Sequence, residues 1–203
     1  MKHLEERLRE GDRLNEQRQL WIDTLSHARH DWLNDLQLII GYVQLRKYDK
    51  LAGCVDMLKQ RMALESRAAK LGHPGLVEAL LTYRTKPRPF AFAFAVEESI
   101  DFRTVPQAAD EVEFAVRSLL AGFEAAAAKG ARGSDNELAC TFGRTQAAAT
   151  ILFTYRGAYA AQALTDTVDA IRGRLETSAP SVAIEVEFGA EQAQVNVSVP
   201  VSG

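Results

Sequence analysis

The chain has 203 residues, 47% of them apolar and 25% charged, with a formal net charge of −3 at pH 7. That length fits one domain, or a small domain plus a docking element, and the balance lacks the basic footprint of a nucleic-acid binder. No stretch approaches the ~18 apolar residues of a membrane span, and the charge-rich start MKHLEERLREGDRLNEQRQLW has no signal-peptide core, so a cytoplasmic location is expected.

Residues 1–20 set Leu4, Leu8 and Leu14 among many charges, with Gly11 between them, and read as a frayed or separate helix. From Trp21 an apolar row runs Trp21, Leu25, Ala28, Trp32, Leu36, Ile39, Val43, in the steps of three and four that mark one helix face. Asp49 is placed to N-cap a second helix with the row Leu51, Val55, Leu58, Met62, Glu65, Ala69. That helix ends at KLGHPG, with Gly72 suited to the left-handed position and Pro74 barring continuation. Residues 21–71 thus form a helical hairpin, and 1–73 a first domain. Two helices alone cover their apolar stripes poorly, so a homodimer closing a four-helix bundle is expected.

A second domain, 74–203, is of α+β type. GLVEALLTYRT reads as a short helix, and Phe90, Phe92, Phe94 and Val96 alternate as a strand. Pro106 opens a helix carrying Val112, Val116, Leu119, Leu120 and Phe123, closed near Gly130. Two strands around a turn near Gly143 follow, then a helix marked by Leu164, Val168, Ile171 and Leu175. Val182–Phe188 and Ala193–Val201 alternate as a final hairpin. Strict alternation implies an antiparallel or mixed sheet with helices on one side. Cys54 and Cys140 lie in apolar rows and read as small buried hydrophobes rather than a disulfide or metal ligands. Glu97–Glu98 and Asp110–Glu111 sit at element ends and read as solvated charges or caps.

At about 100° per residue, His30 falls opposite the apolar row, and His27 also lies outward, one turn earlier. Spacing alone is compatible with an ordinary solvated face. The chain holds no G-x-S-x-G, P-loop, H-E-x-x-H or CxxC to compete as a site.

The run SHARHDWLNDLQLIIGYVQLRKYDKL closely resembles the phosphohistidine helix of the sporulation initiation phosphotransferase B family, the phosphorelay proteins of endospore-forming bacteria. The match is dense over Arg29-His30-Asp31-Trp32-Leu33-Asn34, Leu36-Gln37-Leu38-Ile39, Gly41 and Lys47-Tyr48-Asp49. The resemblance implies a cytoplasmic homodimer with a four-helix bundle. It implies a phosphotransferase whose surface histidine takes a phosphoryl group from the aspartate of one response regulator, a single-domain protein. The group then passes to a second regulator, a transcription factor, controlling sporulation initiation. His30, not His27, matches that histidine, so His27 is read as a surface neighbour. Asp31 and Asn34 are placed to orient the ring or contact the regulator, with Asp31 projecting too far round the helix to reach the imidazole. Arg29 is placed to offset phosphohistidine charge. Leu33, Gln37 and Leu38 are candidate docking contacts, with Leu33 and Leu38 equally readable as bundle flank. No cofactor or metal of the chain's own is expected, magnesium belonging to the regulator's acidic pocket. Neither a membrane nor a nucleic acid is expected as a partner.

The family's second domain resembles a degenerate histidine-kinase ATPase domain. Kinases place asparagines one turn apart on a helix, where VRSLLAGFEAAAAKG has Gly122 and Ala126. Their adenine-reading aspartate corresponds to Tyr155 in TYRGAYAAQ, with only Gly157 kept. Autophosphorylation from ATP is therefore not expected. The alternatives are a sensor histidine kinase core or pseudokinase, sharing an H-D-x-x-N helix, and a dimer that binds regulators without transferring phosphate.

Overall fold

A computed structural model describes residues 2–84, 87–96, 100–104, 106–130 and 135–201. In chain order the elements are α1 (Lys2–Gln44), α2 (Tyr48–Ala69), α3 (Pro74–Arg84), β1 (Ala91–Val96), a 3-10 turn (Phe102–Thr104), α4 (Pro106–Ala128), β2 (Glu137–Arg144), β3 (Ala148–Arg156), α5 (Ala161–Ser178), β4 (Ala183–Phe188) and β5 (Gln192–Pro200). The architecture is α+β, as expected. No described helix is long and apolar enough to cross a membrane.

The first compact unit spans 1–62. α1 is one unbroken helix from Lys2, so residues 2–20 are neither frayed nor separate: Gly11 lowers helix propensity locally without breaking the hydrogen-bond ladder. The hairpin turn occupies 45–47. Arg46 takes a left-handed φ of 56°, and the Lys47 N–H bonds back to the Tyr42 carbonyl at 2.9 Å. The Lys47 carbonyl accepts from Leu51 N at 3.2 Å and so opens α2. Asp49 therefore lies inside the first turn of α2 rather than capping it, where its charge still favours the helix N-terminus. Asp35 of α1 and Arg61 of α2 form a part-buried ion pair that sets the register of the hairpin.

The second unit spans 63–203. Its boundary precedes the 73/74 division read from Gly72 and Pro74, because Ala68 and Leu71 are fully buried in its core. Gly72 has the expected left-handed φ of 75°. His73 then starts α3, its Nδ1 accepting from Leu76 N at 3.3 Å and its carbonyl from Val77 N at 3.1 Å.

The sheet has the order β1-β2-β3-β5-β4. β1 runs parallel to β2, and every other pairing is antiparallel, so the sheet is mixed. One face is buried: Phe94 and Val96, then Leu138, Cys140 and Phe142, then Ile151, Phe153 and Tyr155, then Val195, Val197 and Val199. α4 packs on it through Val112, Val116, Leu119 and Phe123, and α5 through Leu164, Val168, Ile171 and Leu175. The β2–β3 turn lies at 145–147 rather than at Gly143. Thr145 makes it, its Oγ1 accepting from the N–H groups of Ala147 at 3.3 Å and Ala148 at 3.0 Å.

Cys54 and Cys140 are both buried and unpaired, and burial pushes the Cys140 thiol up. Glu111 is not a solvated charge: Arg174 of α5 donates to both its oxygens, at 2.7 and 3.1 Å. Asp110 is exposed, with His73 Nε2 at 3.1 Å. Glu97 and Glu98 lie outside the described residues.

Candidate functional site

His30 is exposed on α1. An uninterrupted helix places residues i and i+4 on one face, one above the other, and Asn34 reaches the ring: its Nδ2 lies 3.1 Å from His30 Nδ1. Among the described residues no other group bonds to the imidazole, so Nε2 faces solvent. As placed, Nδ2–H donates to Nδ1, the arrangement of the tautomer protonated at Nε2; the reversed amide would instead accept from Nδ1–H through Oδ1 and leave the lone pair on Nε2.

The other positions named from the sequence are less closely gathered. Asp31 is exposed and makes no bond to the ring. Arg29 is exposed, and its Nη2 lies 3.5 Å from Ser26 Oγ. Leu33, Gln37 and Leu38 are all exposed along the same stretch of helix. The side chain of His27 lies outside the described residues. Sequence reasoning missed the Asp35–Arg61 pair. Its signal was an acid and a base each interrupting the inner apolar row of its own helix. No cluster of His, Cys, Asp or Glu suited to a metal ion occurs among the described residues.

In the second unit, the positions compared with the kinase asparagines are closed. A Cβ at Gly122 would stand 2.6 Å from Thr167 Cγ2, so glycine is what lets α5 approach α4 here. Ala126 is fully buried, and its carbonyl accepts from Ala160 N at 3.0 Å. The β3–α5 connector is only residues 157–160. Gly157 turns it with φ 125°, and Tyr155 donates its hydroxyl to the Ala158 carbonyl at 3.0 Å. Tyr159 anchors the connector to the β4–β5 turn, donating to the carbonyls of Gly189 at 2.7 Å and Gln192 at 3.1 Å. Burial raises both phenols above their ordinary value.

Residues 12–71 match the family model for the alpha-helical domain of SpoOB-type sensor kinases. Sporulation initiation phosphotransferase B of Bacillus subtilis (strain 168) is 35% identical over 75 residues, which is 37% of this chain and 39% of that protein. The match therefore spans about two fifths of the relative's length. Among solved structures, the Acinetobacter baumannii histidine kinase AdeS covers 86% of this chain, and the chain covers 98% of it, at 10% identity and TM-score 0.40. A histidine kinase from Burkholderia phymatum STM815 covers 83%, with 86% of that chain matched, at 14% identity and TM-score 0.44. The resemblance read from RHDWLN is thus borne out over the helical third: residues 12–71 carry the pattern of the SpoOB-type helical domain.

Proposed function

We propose that the chain is a phosphorelay phosphotransferase that carries phosphoryl groups between response regulators on His30. The observation that carries this reading is the imidazole itself. It is exposed, engaged at Nδ1 by Asn34, and open at Nε2. The Nε2 lone pair attacks the phosphorus of a regulator's aspartyl phosphate. The N–P bond forms as the P–O bond to the aspartate breaks, and the carboxylate leaves. For this step the Asn34 amide is reversed, so that Oδ1 accepts from Nδ1–H; that proton stays and shares the positive charge of the phosphorylated ring. The same step in reverse hands the group to the aspartate of a second regulator. Magnesium in the regulator's acidic pocket would supply charge neutralisation for the loose transition state, and docking on the exposed face around His30 would align the reacting atoms. Arg29 lies beside His30 in sequence as a cation for the phosphoryl charge. Asp31, Leu33, Gln37 and Leu38 serve as contacts to the docked regulator.

The chain acts as a homodimer in this reading. Every side chain described between Asn15 and Asn34 is exposed, Trp21 at 54%, Leu25 at 65% and Trp32 at 44%. A helix that bares its apolar row along such a length is marginal by itself in water. A second hairpin covers the row and completes a four-helix bundle. ATP is not the phosphoryl source. What supports this is that Gly122 and Ala126 stand at the positions compared with the kinase asparagines, with Gly122 against Thr167 of α5, and that only residues 157–160 connect β3 to α5.

The test is transfer from a 32P-labelled single-domain receiver. Acid-labile, base-stable label should appear on the wild-type chain, vanish with His30→Ala and persist with His27→Ala. Label acquired from ATP and magnesium alone, or label retained by His30→Ala, would refute the reading.

A further inference from the structure

The two edges of the sheet in the second unit differ. β1 and β4 are the outer strands of the order β1-β2-β3-β5-β4. On the covered face β1 ends in Phe94 and Val96, both buried. β4 does not close its side in the same way. Ala193, Val195 and Val197 of β5 are buried, but their partners across the ladder, Phe188, Val186 and Ile184, are not. Ile184 and Val186 are half-buried, and Phe188 is 36% exposed. α5 therefore covers β5 and stops short of β4, which leaves an apolar strip along the open edge.

At the start of this strip, Arg172, Leu175, Glu176, Pro180, Val182 and Ile184 line a groove of about 240 Å³. Arg172 of α5 reaches to the edge there, its Nη2 donating to the Ile184 carbonyl at 3.2 Å. A side-chain donor thus stands in for the N–H of a further strand. On the solvent face of β4, Glu185 and Glu187 are both exposed. Among the described residues neither is paired with a lysine or arginine, and Glu185 accepts only from Asn196 Nδ2, at 3.5 Å.

These charges decide between occupants. A second copy pairing through β4 would set Glu185 and Glu187 against the same acids, and like charges directly opposite are destabilising. A strand alternating lysine or arginine with β-branched residues turns its charges to one face and its apolar side chains to the other. It complements both sides of β4 at once, while main-chain hydrogen bonds hold it to the edge.

We propose that the open edge of β4 takes up an extended basic segment of another protein as a further strand. Its lysines or arginines stand opposite Glu185 and Glu187, and its apolar side chains lie over Ile184, Val186 and Phe188. Arg172 yields the Ile184 carbonyl to the incoming N–H and keeps Asp169, 3.5 Å from its Nη1. The proposal is separate from the transfer reaction, because every residue it uses lies in the second unit.

The test uses the full chain and a fluorescein-labelled octapeptide of alternating lysine and valine, read by anisotropy. Binding should saturate at one peptide per chain. Glu185→Lys and Glu187→Lys should each keep the wild-type unfolding midpoint and weaken binding by about tenfold or more. Two further peptides are N-methylated, one at the lysines and one at the valines. A strand turns alternate N–H groups to opposite sides, so one of the two should lose binding and the other keep it. Equal binding by both would leave charge attraction alone and overturn the proposal, as would the absence of saturable binding by the parent peptide. A molar mass that falls with Val186→Lys would give the edge to a second copy and overturn it as well.

Discussion

Asp35 and Arg61 meet across the hairpin at equal chain distance from Tyr48, and theirs is the ion pair that ties α1 to α2 among the described residues. Both side chains are mostly buried, so removing one leaves the other poorly solvated. Asp35→Ala and Arg61→Ala should each lower stability by about 1–2 kcal/mol. The double variant should cost less than the sum, because the two changes delete one interaction. Urea titrations of the four proteins give the coupling directly, and simple additivity would show that the pair does not hold the register.

The apolar row of α1 contains both tryptophans of the chain, Trp21 and Trp32. Covering them in a dimer should shift their emission to the blue and make it concentration-dependent. Leu36→Ser, on the same face, should weaken association and return emission toward that of exposed indole, with light scattering reporting the mass. Emission that does not change on dilution to one chain's mass would mean that the row stays wet.

Arg174 clamps α5 to α4 through Glu111 and holds that carboxyl below its ordinary value of 4.5. A group depressed in the folded state adds stability above its unfolded value and loses it as pH falls through the folded one. The clamp should therefore be intact at neutral pH and weaken below about pH 4.5. Glu111→Gln should lower the unfolding midpoint at pH 7, and its difference from wild type should shrink as the solution is acidified. A difference that is constant with pH would assign the effect to packing alone.

Gly122 is held by space. Gly122→Asn would push a side chain into Thr167 and should destabilise the second unit by about 2–4 kcal/mol. Pairing it with Thr167→Gly should recover part of that loss. Full stability of the single variant would mean that α4 and α5 separate easily at this point.

Local pattern carried most of the architecture. The 4/3 rows gave both hairpin helices, Gly72 and Pro74 marked the end of α2, and the alternation in β4 and β5 gave the covered face of the sheet. What escaped were features settled by neighbours distant in sequence or by main-chain geometry. Arg46 and the Lys47 carbonyl, not Asp49, begin α2, since a left-handed residue in the turn places that carbonyl over Leu51. Thr145 took the turn role assigned to Gly143. Glu111 looked like an end charge until α5 brought Arg174 to it. At the site, the i, i+4 spacing of His30 and Asn34 is legible in the sequence because helix geometry alone makes them neighbours. Asp35 was hidden because its partner lies on the other helix.

The short β3–α5 connector has a thermodynamic consequence for the proposed relay. A kinase couples its histidine to the free energy of ATP and can push phosphate one way. If, as proposed, ATP is not the source, His30 would see only phosphoryl groups already at acyl-phosphate potential on its partners. Such a protein equilibrates two pools without driving either. Net flow would then follow the ratio of phosphorylated to unphosphorylated regulators, and would reverse when that ratio does.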